Sequence, residues 1–479
     1  MDRTPLLLVS DGPNESTGLG RIARDLGGLI QQANLPVELV SVGGPPLPVW
    51  RGWQHVPMGE AERGEDWGRS YVEAVWRDLW GRQPGILWVI WDPGRLAAYQ
   101  GIDLPMQLWS YPAIDADNYA GGVGGPAGEA LRQADRVIAY GRWAAGVIRT
   151  GRGETVPYLP HGLITPTYAP ATEAETDWVS NRLGPYVKRG ALIVGCVATN
   201  QPRKDLGLYC QTLRALLDRG RAVHGWLHTD TLVKAWSIPQ LIADCGLERR
   251  ITVSTGEYTD RQLAWFYQRC AVTIAPGLGE GFGYPIVESL ASGTPVVHGD
   301  FGGGRELVPK REWRFPVREI RLEGIYAQRR PVFRADDVAN AIDRAWAWQA
   351  AIGAEAAAAY CRGSVAHLDW QALWPRWRRW IRQGLERHGG PHTLHRHEDH
   401  TRGRAGIPDR RDRDRLPGVR AGHHPAGRAS PARDPRRADR ADRSAPGRDR
   451  EGRRRPRDRA HTGRGRDPRR SDEELRWSW

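Results

Sequence analysis

The chain has 479 residues, with 69 basic and 56 acidic side chains and a formal net charge of +13. Residues 389–479 hold 26 arginines against 15 acidic residues, whereas residues 1–388 carry 43 basic and 41 acidic groups. This near-neutral body argues against a nucleic-acid-binding surface, and its length suffices for two or three domains.

Cysteine usage and hydropathy predict a cytoplasmic protein. The five cysteines have no paired spacing, and neither a secretory leader nor a long apolar run is visible. We therefore expect free thiols in a reducing compartment. Peripheral contact with a membrane surface stays open, because such contact needs no spanning segment.

The first elements suggest a phosphate-binding loop. Leu6–Val9 is a short apolar run typical of a buried parallel strand, residues 10–20 look like a glycine-containing loop, and a helical pattern starts at Arg21. A strand, a flexible loop and a helix start together favour an anion. The pattern alone is weak, because many α/β proteins begin in this way.

Two later strands end at aspartates. Ile86–Ile90 precedes Asp92, and Met106–Ser110 precedes Asp115. Ligands of open α/β sheets collect beyond the carboxyl ends of the strands, so both aspartates are candidate site residues. Asp115 and Asp117 also form a DxD triplet, but two carboxylates make an incomplete metal site, and we expect no metal.

Residues 43–68 are rich in Gly, Pro and Trp and are predicted to be a long loop, whose tryptophans either pack or stack on sugar rings. The second half repeats the strand–helix alternation of the first, which predicts two doubly wound Rossmann-like domains. Its predicted strands are Ala191–Val197, Val223–His228, Ile251–Ser254 and Cys270–Ala275.

The most informative stretch follows the last of these strands. Gly279, Gly281 and Gly283 allow close approach of the backbone to a ligand, and a helix start behind them favours an anion. Glu280 lies in the loop, and Glu288 lies about one turn into the helix. One carboxylate can therefore meet hydroxyls beside a phosphate, and the other can meet the group that the phosphate carries. The pattern suits a nucleotide sugar.

The segment Glu280-Gly-Phe-Gly-Tyr-Pro-Ile-Val-Glu288, followed by Ser-Leu-Ala-Ser-Gly-Thr-Pro-Val, resembles the Glu-x7-Glu signature of retaining glycosyltransferases of the GT-B fold, particularly glycosyltransferase family 4. The alternative is a glycine-rich turn before an ordinary packing helix. The resemblance covers roughly residues 5–388 and is strongest over 191–309. It implies two Rossmann-like domains that face a cleft, with C-terminal helices crossing back over the N-terminal domain.

The resemblance also implies roles in the donor site. Arg203 and Lys204 would neutralise the donor diphosphate, with Arg203 replacing the arginine that relatives commonly hold at the position of Thr199. Glu280 would contact the donor sugar and stabilise positive charge at the anomeric carbon, and Glu288 would hold ribose hydroxyls. Because a cation on a cleft surface contributes little to folding, we expect Lys204→Ala to lower turnover with little change in thermal stability.

Further donor contacts follow from the same resemblance. The backbone amides of Gly281, Phe282 and Gly283 would bind the diphosphate, and Gly18 and Gly20 match the first loop that relatives place against the donor from the far side of the cleft.

Several positions keep two interpretations. Asp115 is expected to contact the acceptor or the sugar, and a role as catalytic base is a weaker version of that hypothesis. His161 either contacts substrate or serves as a structural hinge residue. The loop 255–260 matches the place where relatives hold the nucleotide base, and the turn 302–306 is either a plain turn or part of the cleft. The co-substrate is a nucleotide-diphosphate sugar with no further cofactor.

Residues 335–388 show helical spacing, and from residue 389 the composition becomes too polar to bury a core, which predicts disorder. That tail is a nucleic-acid or membrane-surface segment, an inert tail or the product of a shifted reading frame. The predicted plan is an acceptor domain (1–164), a linker (165–190), a donor domain (191–350), crossing helices (351–388) and the tail (389–479).

The predicted function is a hexosyltransferase-type enzyme that transfers a sugar, with retention of configuration, to an unidentified glycan, lipid or protein acceptor. Two alternatives stay open. A nucleotide-sugar epimerase of the same fold would release free nucleotide without an acceptor. A non-catalytic nucleotide-sugar-binding protein would keep the fold alone.

Overall fold

The structure, a computed structural model, describes residues 3–45, 52–176, 190–324 and 326–388. The predicted tail and residues 177–189 of the predicted linker lie outside these ranges. Two six-stranded parallel sheets dominate the described chain.

The first sheet has the order β3-β2-β1-β4-β5-β6, with all neighbours parallel. Leu6, Leu7 and Leu8 of the central strand are fully buried, which explains its unbroken apolar run, since both faces of the sheet are covered. The direction of strand order reverses between β1 and β4. The strands are β1 (Thr4–Val9), β2 (Val37–Val42), β3 (Gln54–Val56), β4 (Gly85–Val89), β5 (Met106–Ser110) and β6 (Arg136–Val137).

The helices of this half are α1 (Gly18–Gln32), α2 (Glu60–Arg63), α3 (Arg69–Trp80), α4 (Pro93–Leu96), α5 (Gly125–Gln133) and α6 (Arg142–Arg152). Two expectations need correction. Helix α1 begins at Gly18 and not at Arg21, because the Thr17 hydroxyl accepts a hydrogen bond from the N–H of Gly20 at 3.0 Å and caps the helix earlier. The predicted loop 43–68 contains β3 and α2, and its Trp53 packs in the interior at 7% exposure.

The second sheet has the order β12-β11-β10-β7-β8-β9, again parallel, with its reversal between β7 and β10. Two doubly wound domains are therefore present, as predicted. The strands are β7 (Leu192–Val197), β8 (Val223–Thr229), β9 (Ile251–Thr255), β10 (Val272–Ala275), β11 (Val296–Gly299) and β12 (Arg314–Phe315), and the helices are α7 (Leu206–Asp218), α8 (Ile238–Asp244), α9 (Asp260–Arg269) and α10 (Tyr284–Ala291).

An antiparallel hairpin follows, which the sequence did not predict. Its strands β13 (Glu319–Glu323) and β14 (Gln328–Val332) join neither large sheet. The described chain then ends in the helices α11 (Ala335–Ile352), α12 (Ala354–Val365) and α13 (Trp370–His388). Short 3-10 turns lie at Ala97–Tyr99, Thr165–Tyr168, Pro202–Lys204, Gly304–Glu306, Arg311–Trp313 and Ala366–Leu368.

Helix α13 returns to the first domain, as predicted. The indole N–H of Trp370 donates to an Asp25 carboxylate oxygen at 3.0 Å, and that of Trp377 donates to the Pro160 carbonyl at 3.0 Å. These tryptophans thus contribute polar contacts as well as apolar area to the junction. In the ranges that the structure covers, no helix is both long and apolar enough to cross a membrane.

Candidate functional site

The candidate site lies at the reversal of strand order in the second domain. The loop after β7 carries Arg203 and Lys204, and the loop after β10 carries Glu280. Such a reversal opens a crevice beyond the carboxyl ends of the two central strands, where ligands of doubly wound sheets bind. The topology therefore brings Glu280 to Arg203 and Lys204, although Lys204 and Glu280 are 76 positions apart in the chain.

The loop after β7 is held by its own polar side chains. Asn200 is fully buried, and its amide group donates to the Trp236 carbonyl at 2.8 Å and accepts from the Trp236 N–H at 2.8 Å. Asp205 takes a left-handed backbone conformation at φ 43° and caps helix α7. The turn between these two residues presents Arg203 and Lys204 to the cleft.

Glu280 and Lys204 form a buried ion pair. Lys204 Nζ lies 2.6 Å from Glu280 Oε1, and their side chains are 13% and 11% exposed. Arg203 lies 3.8 Å from Glu280 Oε2 and donates to the Gly279 carbonyl at 3.1 Å. Burial alone would raise the pKa of Glu280, but the charges of Lys204 and Arg203 outweigh burial and lower it. The expectation of a surface lysine is therefore wrong, and its consequence for stability changes.

The start of helix α10 offers free donors. Within the residues described, the N–H groups of Gly281, Phe282 and Gly283 have no protein acceptor. Gly283 has φ 98°, which favours glycine and turns the chain into the helix. Unsatisfied amides at a helix start bind anions, with the helix dipole in their favour.

The Phe282 side chain and His161 belong to the packing between domains. Their ring centroids lie 3.8 Å apart, and both residues are buried. The Tyr111 hydroxyl lies 3.1 Å from His161 Nδ1. Burial, assisted by the charge of Arg21, lowers the pKa of His161 well below its ordinary value, so the ring is neutral. This environment favours the structural interpretation of His161 over substrate contact.

Both aspartates of the DxD triplet engage arginines of the second domain. Asp115 Oδ2 lies 3.3 Å from Arg203 Nε, and its Oδ1 lies 3.5 Å from Arg330. Asp117 is held by both arms of Arg329, at 3.0 and 2.5 Å. Arg329 and Arg330 lie on the unpredicted hairpin, and no motif or spacing in the sequence points to them.

Glu288 occupies an unexpected setting. It is 3% exposed, and its Oε2 accepts from the Tyr267 hydroxyl at 2.8 Å. Its Oε1 pairs with Arg21 of helix α1 and lies 3.4 Å from the Tyr168 hydroxyl. Arg21 also pairs with Asp260. The carboxylate expected at the ribose thus joins the two domains here, through partners that sequence reasoning missed.

The two glycines predicted for the first loop differ in position. A Cβ on Gly18 would lie 3.4 Å from the Tyr284 ring, so Gly18 faces the start of α10 across the cleft. A Cβ on Gly20 would lie 2.5 Å from the Gly12 carbonyl oxygen, so Gly20 packs within its own domain. Gly18 alone is brought to the donor loop.

The turn 302–306 and the loop 255–260 both contribute to the cleft walls. The Glu306 carboxylate accepts from the N–H groups of Arg142 and Trp143, at 3.0 and 2.8 Å, and so caps helix α6 of the facing domain. The turn is therefore an interdomain contact and more than a plain turn. In the loop 255–260, Tyr258 stacks on His228, with ring centroids 3.9 Å apart.

The first domain supplies one further carboxylate, Asp92. Its side chain is 55% exposed, and Arg95 Nε lies 3.9 Å from Oδ2. Desolvation by the cleft, assisted by the negative charge of Asp115, raises the pKa of Asp92. The Arg95 guanidinium also lies over the exposed Trp67, at 4.9 Å from the ring centroid.

The comparisons with known proteins agree with this geometry. Residues 191–327 match the family described as "Glycosyl transferases group 1". The second domain is therefore similar to group 1 glycosyl transferases. The predicted family resemblance is thereby confirmed, for the domain that holds Arg203, Lys204, Glu280 and Glu288.

Relatives and solved structures extend the match. The chain is 30% identical over 189 residues to "Lipopolysaccharide core biosynthesis mannosyltransferase LpsB" of Rhizobium meliloti, over 37% of this chain and 49% of that protein. The chain thus spans about half the length of this relative.

Among solved structures, sucrose-phosphate synthase from Thermosynechococcus elongatus matches with a TM-score of 0.63 and 19% identity, over 80% of this chain and 100% of that one. Anabaena HepE, solved "in complex with UDP-glucose", matches with a TM-score of 0.56 and 15% identity, over 80% of this chain and 100% of its own. At these identities the likeness concerns the fold alone, and it confirms the predicted GT-B fold of this chain.

Proposed function

We propose that this chain transfers a hexose from a nucleotide-diphosphate donor to a saccharide acceptor with retention of configuration. The observation that carries the proposal is the convergence, at the strand-order reversal of the donor domain, of two cations, three free amides and one buried carboxylate. These groups suit a diphosphate that is joined to a polyhydroxylated ring.

The two cations would stabilise the leaving diphosphate electrostatically. As the bond between the anomeric carbon and the diphosphate breaks, its electron pair passes to the phosphate oxygen. Arg203, Lys204 and the amides of Gly281–Gly283 would stabilise that developing charge, and such preorganised donors typically contribute about 100- to 1,000-fold in rate.

Glu280 would exchange partners during the reaction. In the structure its carboxylate neutralises Lys204. A bound diphosphate competes for the same ammonium group, which frees a carboxylate oxygen for the donor sugar and for positive charge at the anomeric carbon. The pair thus keeps both charges compensated before and after the donor arrives, which avoids a bare buried ion.

The remaining predicted contacts need rearrangement or approach from the first domain. Glu288 would reach ribose hydroxyls only when Arg21 or a neighbouring tyrosine releases an oxygen. Asp115 and Gly18 would face the sugar or acceptor from the opposite wall. The name of the rhizobial relative supports a saccharide acceptor, and the UDP-glucose complex of HepE supports trials with UDP-linked hexoses.

A donor panel tests the proposal. Purified chain is incubated with UDP-glucose or GDP-mannose, with and without mono- and disaccharide acceptors, and mass spectrometry follows nucleotide release and product mass. We expect an acceptor-dependent hexose adduct, whose anomeric configuration NMR compares with that of the donor. Free nucleotide without an acceptor product, together with an epimerised sugar, would favour the epimerase. Binding without any conversion would favour the non-catalytic alternative.

A matched pair of variants connects the reaction to the site. Lys204→Met should abolish conversion almost completely. Lys234→Met serves as the control, because Lys234 lies in the same domain but its side chain is 58% exposed. Equal loss of conversion in both variants would remove Lys204 from the proposed mechanism.

A further inference from the structure

Strands β13 and β14 form a hairpin that extends from the donor domain but belongs to neither large sheet. Strand β13 is exposed along its whole length. At the base, both arms of Arg318 contact Asp337, at 2.6 and 2.5 Å. Isolated two-stranded hairpins are marginally stable in water, so the order of this hairpin depends on what its far end touches.

That far end contacts the first domain through both backbone and side chains. Arg329 holds Asp117, which is only 4% exposed, in a two-armed ion pair, and its N–H donates to the Asp117 carbonyl at 2.8 Å. Gln328 forms a single antiparallel bridge with Asn118. An arginine fork on a buried carboxylate fixes orientation as well as charge, so the hairpin has a defined seat on the facing domain.

The neighbouring Arg330 reaches deeper into the cleft and is 7% exposed. It donates to the Asp115 carbonyl at 3.3 Å and lies 3.5 Å from Asp115 Oδ1. A Cβ on Gly279 would lie 2.3 Å from this guanidinium and 2.2 Å from the Asp115 carbonyl oxygen. The absence of a side chain at Gly279 is therefore what allows Arg330 and Asp115 to meet against the glycine-rich loop.

We propose that the hairpin of strands β13 and β14 is a clasp across the cleft, anchored by Arg329, and that Arg330 is a positioning residue for Asp115. The clasp rests on the contacts alone, whereas the positioning role rests on the proposed function. Asp115 now lies between Arg203 and Arg330. When a donor diphosphate draws the charge of Arg203 to itself, Arg330 is the cation that still holds the Asp115 carboxylate in place.

Two predictions separate anchoring from positioning. Arg329→Gln should raise the hydrogen–deuterium exchange rates of the amides in residues 319–332 by about tenfold or more, while Arg329→Lys should restore part of the protection. Arg330→Gln should leave the Michaelis constant for UDP-glucose or GDP-mannose within about twofold. It should lower turnover by roughly 100-fold, because a displacement of a reacting group by about 1 Å typically causes a loss in rate of that magnitude.

The control is Arg321→Gln, on the same hairpin, where the side chain is 67% exposed and Nε lies 3.5 Å from a Glu319 carboxylate oxygen. The experiment uses the full chain and follows amide exchange by mass spectrometry, with thermal melts to show that each variant is folded. The clasp proposal would be overturned if the hairpin amides exchanged at equal rates in Arg329→Gln and Arg321→Gln. If Arg329→Gln does not fold, the comparison of Arg329→Lys with Arg321→Gln decides in the same way.

Turnover and the Michaelis constant of Arg330→Gln test the positioning role separately. A normal turnover in Arg330→Gln, or a raised Michaelis constant with normal turnover, would overturn it. Should the wild-type chain convert no donor at all, the proposed function and the positioning role would fail together, whereas the exchange rates would still decide whether the clasp exists.

Discussion

Replacing Lys204 by methionine should destabilise the protein, because it leaves the Glu280 carboxylate buried without its nearest countercharge. Removing one partner of a buried ion pair typically costs about 3–5 kcal/mol. Protonation limits that cost. From an ordinary pKa of 4.5, protonating the carboxylate at pH 7 costs about 3 kcal/mol, at 1.36 kcal/mol per pH unit. Arg203, 3.8 Å from the other oxygen, compensates a further part. We expect a loss of about 2–3 kcal/mol.

Urea unfolding of Lys204→Met, Glu280→Gln and the double variant measures this coupling. The double variant should be more stable than the sum of the two losses by at least about 1 kcal/mol, the range for groups in direct contact. The control Lys234→Met should change stability by less than about 0.5 kcal/mol.

The pH dependence of the stability loss in Lys204→Met tests the direction of the pKa change at Glu280. In Lys204→Met the folded-state pKa of Glu280 is raised above its unfolded value, so the folded state binds the extra proton and the deficit relative to wild type shrinks as the pH falls from 7 towards 4.5. A deficit that is independent of pH, or additive single losses, would refute the reasoning.

Three further perturbations probe other parts of the site. Glu288→Ala should lower the free energy of unfolding by about 3–5 kcal/mol, because buried Arg21 keeps Asp260 as its acidic partner but loses Glu288. The same variant should weaken nucleotide binding by about 1.5–3 kcal/mol. An unchanged nucleotide affinity in calorimetry would contradict the ribose role of Glu288. Gly279→Ala should lower turnover and the melting temperature together, because its Cβ would meet a carbonyl oxygen of the facing domain at 2.2 Å; a variant like wild type would contradict that contact. Burial lowers the pKa of His224 and His228 to about 4. Their unfolded pKa is about 6.5, so stability is full above pH 6.5 and should fall by about 2 kcal/mol per histidine between pH 7 and pH 5. Retention of that slope in His224→Asn/His228→Asn, measured by urea unfolding, would contradict this account.

The architecture was predictable because it follows from local patterns. Apolar runs such as Leu6–Val9 are long enough for a strand and are apolar on both faces, which a buried parallel sheet requires. The stretch from Gly279 to Glu288 combines glycines, a helix start and two glutamates at fixed spacing. Both signals lie within a few consecutive residues, so no knowledge of the tertiary structure was needed to find them.

What could not be predicted depends on pairs that are distant in sequence. Arg329 and Asp117 are 212 positions apart, and Arg21 and Glu288 are 267 apart. No local spacing encodes such partners, because the sheet topology and the closure of the two domains decide them. The burial of Lys204 has the same origin. The sequence predicts a cation on a cleft surface, whereas in the structure the Glu280 carboxylate lies 2.6 Å from Lys204 Nζ and the lysine side chain is 13% exposed.

These distant pairs determine how a donor can enter. Arg203, Lys204 and Arg21 are each paired with a carboxylate in the structure. A diphosphate therefore enters a site whose charges are already balanced, and its binding is an exchange in which phosphate oxygens replace carboxylates. Each exchange releases a carboxylate oxygen, and a buried carboxylate is stable only with a new donor. Hydroxyls of the donor supply such donors. Because a free phosphate carries no sugar hydroxyls and a free sugar carries no negative charge, the site should favour the two joined in one molecule.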